Sequence, residues 1–95
     1  GMALARVVTF DGVSKERMDA LDKEMQSGEP PEGMPSAEVI VLHDPDAEKS
    51  IAIVIFENED DYKKGDEILG NMPRDNTPGQ RTSVTKYNVA TRMKN

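Results

Sequence analysis

The chain has no cysteine and no tryptophan, and its aromatic content is one histidine, two phenylalanines and two tyrosines. Absence of cysteine excludes disulfides, thiolate metal sites and cysteine nucleophiles together, and it fits a reducing, cytoplasmic compartment. With one histidine and no cysteine, a metal would find little but oxygen ligands, and the acids are scattered over the expected helix surfaces, so no metal site is expected. Long apolar runs are also missing. The longest covers the six residues Ile51–Phe56, far short of a membrane span, and the amino terminus lacks the regions of a secretory signal. Gly1 before Met2 reads as a tag scar, which leaves residues 2–95 as one small domain.

Acids outnumber bases, 18 to 12, for a net charge of −6. The excess is uneven: residues 1–72 hold 17 acids and 7 bases, whereas residues 73–95 hold 5 bases and 1 acid. Among Arg74, Arg81, Lys86, Arg92 and Lys94 the one aromatic is Tyr87. A nucleic-acid surface needs such bases on one face with stacking partners, so this asymmetry reads as neutralisation of an acidic neighbour, and no nucleic-acid partner is expected.

What is present is a regular alternation of strand and helix signals. Residues 3–10 form a β-branched apolar run closed by Asp11-Gly12, a strand and its turn. Ser14 supplies an N-cap, Val13 and Met18 stand at the spacing of a hydrophobic staple, and Met18, Leu21 and Met25 mark one helix face. Asp19 and Asp22 read as solvated surface. Residues 27–36, Ser-Gly-Glu-Pro-Pro-Glu-Gly-Met-Pro-Ser, stop the helix, with Gly28 as a left-handed cap. This connector either tucks Met34 over the core or works as a lid.

Residues 37–44 and 50–57 are two further strands joined as a hairpin. The second is apolar on both faces, with Ile51, Ile53 and Ile55 on one and Ala52, Val54 and Phe56 on the other, so it belongs in the middle of a sheet covered twice. Asn58 opens a second helix with the stripe Tyr62, Gly65, Leu69, Met72, and Gly65 on that stripe implies close approach of helix to sheet. Thr77-Pro-Gly-Gln80 reads as a type II turn, and residues 81–91 as a last strand.

The order β-α-β-β-α-β is that of an α+β, ferredoxin-like domain: a four-stranded antiparallel sheet with two helices on one face. Two helices cannot cover both faces. The other face therefore calls for a second copy, packed sheet to sheet in a homodimer.

With Ala5-Arg-Val-Val-Thr-Phe10, Ile51-Ala-Ile-Val-Ile-Phe56, Glu57-Asn-Glu-Asp-Asp-Tyr62 and Arg81-Thr-Ser-Val-Thr-Lys-Tyr-Asn-Val89, the chain resembles the dimeric α/β-barrel superfamily. Within it, the chain is similar to the small antibiotic biosynthesis monooxygenase-type domains. The resemblance implies a sheet-to-sheet homodimer, with a cavity between sheet and helices for a small molecule. Some members oxidise quinol-like substrates without a prosthetic group, and others bind haem through a histidine on the second helix. Residues 58–72 contain no histidine, so no haem or other cofactor is expected.

Four side chains are candidates for a site. His43 is the sole candidate for a base working near neutral pH, and its neighbour Asp44 points to the opposite face of a strand. A strand-end surface residue is the plainer reading. Tyr62 offers a phenol to a substrate oxygen, or else is a core residue. Tyr87 is a further ligand-binding candidate. Arg6, inside a central strand, must be paired with an acid such as Glu38 or must anchor an anionic ligand. Two functions stay open: a cofactor-independent oxygenase or isomerase acting on a small oxygen-bearing molecule, and a non-enzymatic binding or assembly module.

Overall fold

The fold is that of a computed structural model, which describes residues 2–73 and 76–95; Gly1 and the tail base Arg74 lie outside them. The elements are β1 (Leu4–Asp11), α1 (Lys15–Ser27), β2 (Ala37–Asp44), β3 (Lys49–Phe56), α2 (Glu59–Gly70) and β4 (Gln80–Asn88). The strands form one sheet in the order β2-β3-β1-β4, every neighbouring pair antiparallel. This is a small α+β fold consistent with the ferredoxin-like arrangement.

Register assigns the faces. Leu4, Arg6, Val8 and Phe10 of β1 stand opposite Phe56, Val54, Ala52 and Ser50 of β3, which in turn oppose Ala37, Val39, Val41 and His43 of β2. Alternation puts these residues on one side of the sheet. Both helices lie there: α2 through Tyr62 against Phe56 and Asp66 against Arg6, and α1 through Met18 against the Val8, Phe10 and Val13 cluster. The main core is Leu4, Val54, Phe56 and Tyr62, with Met34, Ala37 and Leu69 packed around it. Met34 therefore anchors the proline-rich connector on the core.

Local signals explain most boundaries. Ser14 caps α1, its Oγ accepting the Arg17 N–H at 3.2 Å, and Asn58 caps α2, its Oδ1 accepting the Asp61 N–H at 2.8 Å. Gly65 is buried under Phe56, and a Cβ placed on it would fall inside that ring, so the helix crosses the sheet as closely as its stripe implied. Two turn expectations are corrected. Gly28 has φ −89°, an extended cap whose N–H donates to the Glu24 carbonyl. Gly79 does not have the positive φ of a type II turn; its lack of a side chain instead admits the Asp11 carbonyl oxygen, which a Cβ would meet.

Among the described residues the opposite face of the sheet carries no helix. It presents Val7, Ile40, Leu42, Ile51 and Ile53 together with Thr9, Ser83, Thr85 and Tyr87, and Leu42 (48% exposed) and Tyr87 (55%) stand in the open. The C-terminal segment crosses one end of the sheet. Val89 N–H donates to the Ala3 carbonyl, and Arg92 then reaches Glu38 on the far strand and Glu57 beyond β3. Ala5 and Ile55, beside Glu38 at this end, are the buried residues of this face.

Candidate functional site

The β1–α1 turn and the β2–β3 hairpin are tied together, Val13 N–H donating to the Glu48 carbonyl at 2.8 Å. The same residue's carbonyl accepts from His43 Nε2 at 2.9 Å. A carbonyl only accepts, so Nε2 carries the proton and, in the neutral ring, Nδ1 is the acceptor nitrogen. Among the described residues Nδ1 has no hydrogen-bond partner. Asp44 does not orient the ring; its Oδ1 accepts the Ala47 N–H at 3.2 Å within the hairpin turn.

From this end the helix α1 runs alongside β2 without closing on it. All thirteen residues of α1 are described and none is buried. Between helix and strand lies a cleft of about 360 Å³, walled by Met18, Leu21 and Met25 of the helix and by Val39 and Val41 of the strand. His43, Asp19, Asp22 and Gln26 supply its polar groups. Spacing accounts for the helix wall, because 18, 21, 22 and 25 share one side of a helix, and alternation accounts for the strand wall. The volume lies in the range of small-molecule sites.

Arg6 and Tyr62 are brought together elsewhere, between α2, β1 and β4. Arg6 is 6% exposed, and its Nε donates to Asp66 Oδ1 at 2.8 Å, whereas Glu38 is on the opposite face and pairs with Arg92. Tyr62 meets Phe56 edge to face with ring centroids 5.7 Å apart. Lys86 lies 4.9 Å from the Tyr62 ring centroid while its Nζ donates to Glu59 Oε1 at 2.6 Å. Burial raises the Tyr62 phenol above its ordinary pKa, and the Asp66 carboxylate adds to this, against the opposing pull of Arg6 and Lys86. The charged side chains of this group are paired, Arg6 with Asp66 and Lys86 with Glu59. Tyr87 stands alone on the open face.

The four candidates thus fall in three places, and only His43 borders the cleft. The cleft's other residues were hidden behind ordinary readings, with Met18, Leu21 and Met25 as core stripe and Asp19 and Asp22 as solvated surface. A fainter signal existed: α1 offers three large apolar residues among thirteen, too few to seal a helix against a sheet. Among the described residues no group of three or more His, Asp or Glu is placed to hold a metal ion, and no helix is long and apolar enough to cross a membrane. Comparison with protein-family models, with curated proteins and with solved structures finds no match.

Proposed function

We propose that this chain is a cytoplasmic, homodimeric small-molecule-binding domain of the antibiotic biosynthesis monooxygenase type. The α1–β2 cleft is its ligand site, and the open sheet face joins the two copies. The observation that carries this reading is the cleft. Burying a Met or Leu side chain contributes about 1.5–3 kcal/mol, so a domain this small gives up a large share of its stability by leaving Met18, Leu21 and Met25 half-covered. A ligand seated against them recovers that contribution. Support for the dimer is the row of Ile40, Leu42 and Ile51 exposed on a helix-free face.

The test is a thermal-shift screen of small aromatic and alicyclic compounds on the chain and on Val41→Trp, which plugs the cleft floor. Compounds that stabilise the chain and lose their effect on Val41→Trp support the reading. Shifts that persist in the plugged variant, or none at all, contradict it. One observation favours a catalytic role, as a cofactor-independent oxygenase or isomerase: the Nδ1 of His43, its tautomer set by Val13, is poised as a base at the cleft end. On that reading His43→Gln keeps ligand binding and abolishes exchange of the ligand's acidic C–H proton with solvent deuterium.

A further inference from the structure

We infer that the cleft selects an organic cation, an amine carried on a planar apolar body; this rests on the cleft being a ligand site. The polar groups lining the cleft are chiefly acceptors, two carboxylates and a ring nitrogen, and the Gln26 amide has one of its two hydrogens committed to Asp22. Asp19 and Asp22 stand three residues apart on one side of α1. Gln26 Nε2 donates to Asp22 Oδ1 at 3.4 Å, which leaves Asp22 Oδ2 and both Asp19 oxygens without a hydrogen-bond partner among the described residues. His43 spends its proton on Val13, so it too offers a lone pair. Among the described residues lining the cleft there is no lysine or arginine.

Longer-range charge has the same sign. The last turn of α1 holds no basic residue to offset its C-terminal carbonyls, and the chain carries −6. An anionic ligand would meet two carboxylates and no cationic side chain, with one amide hydrogen of Gln26 as its donor. An ammonium finds two carboxylates and a ring nitrogen among the residues that line the cleft. The apolar floor is Val39 and Val41, and the facing thioethers of Met18 and Met25 favour the edge of an aromatic ring. The volume suits one or two fused rings with a short arm.

Calorimetric titration with a matched series tests the charge: tryptamine, 3-methylindole and indole-3-propionate share the ring and differ in the arm. Tryptamine should bind about tenfold more tightly than indole-3-propionate at low salt, with the ratio falling as salt is added. In the double variant Asp19→Asn, Asp22→Asn, tryptamine should weaken about fivefold while 3-methylindole is unchanged. Equal or tighter binding of the propionate, or unweakened tryptamine in the double variant, overturns the inference. If all three bind alike and are lost together in Val41→Trp, the ligand cleft stands and the charge selection falls. If none binds, or binding survives Val41→Trp, both fall.

Discussion

Removing Asp66 should be worse for this fold than removing the buried arginine it serves. Arg6 sits on the second strand from the edge, 6% exposed, with its Nε on Asp66 Oδ1 at 2.8 Å. Asp66→Ala leaves a cation in a low-dielectric site with its partner gone, a change that costs about 3–5 kcal/mol when both charges are fully buried. The Asp66 side chain is 47% exposed, so water reaches the pair and the expected loss falls to about 1–3 kcal/mol. For a domain of this size that is a drop in Tm of roughly 5–20 °C. Arg6→Met keeps the apolar stem among Leu4, Val8 and Val54 and returns Asp66 to solvent, so it should cost less than about 1 kcal/mol. The double variant should match Arg6→Met, because the loss in Asp66→Ala belongs to the stranded cation. Urea unfolding followed by circular dichroism at one fixed protein concentration reads all three, the concentration being held because self-association would otherwise shift the midpoint. An Arg6→Met protein less stable than Asp66→Ala, or additive losses in the double variant, would refute the assignment of this pair as a buried cation held by one partner.

Other perturbations address other contacts. Gly65→Ala drives a methyl into the Phe56 ring and should destabilise by about 1–3 kcal/mol, although alanine is the better helix former; an equally or more stable variant in the same urea assay would show that helix and sheet are not in such close approach. Tyr62 has a phenol pKa raised on folding, so its contribution is fully present below its unfolded value near 10 and is lost as pH rises through the higher folded value. The stability of Tyr62→Phe relative to the parent should therefore be flat from pH 7 to 9 and increase above about 10, and a difference that stays flat to pH 11 would contradict the upward shift of that phenol. Leu42→Lys sits on the open face at 48% exposed, so it should leave the melt of the isolated fold within about 0.5 kcal/mol while turning a species of twice the chain mass into a monomer in sedimentation equilibrium. A parent that sediments as a monomer removes the dimer.

How far the sequence could be read depended on what each residue's signal encodes. Ile51 to Phe56 alternate two apolar sets, a pattern that requires a central strand, and β3 is central. Ser14, Asn58 and Gly65 carry signals that act within a few residues or across one contact, and these too were legible. The cleft was not. Met18, Leu21 and Met25 say which side of α1 faces the sheet, but periodicity holds no information on how far a helix stands off. Nor could composition choose the partner of Arg6 among so many acids. The choice follows from sheet order: Glu38 lies two strands away on the other face, while Asp66 is one turn beyond Tyr62 on the helix that crosses β1. Pro78-Gly79 suggested a turn type, yet the glycine is required by the nearness of the Asp11 carbonyl, a contact between segments far apart in sequence.

The six methionines provide the most direct measurement of the central claim, that the space between α1 and β2 is a ligand site. Met18 and Met25 line the cleft, whereas Met2, Met34, Met72 and Met93 lie away from it. In a methyl-labelled sample titrated with tryptamine, the account predicts saturable shifts of the Met18 and Met25 methyls with one common affinity, an accompanying shift of the His43 ring protons, and none at the other four. Shifts concentrated at Met34 or Met72, or spread over all six without saturation, would contradict it.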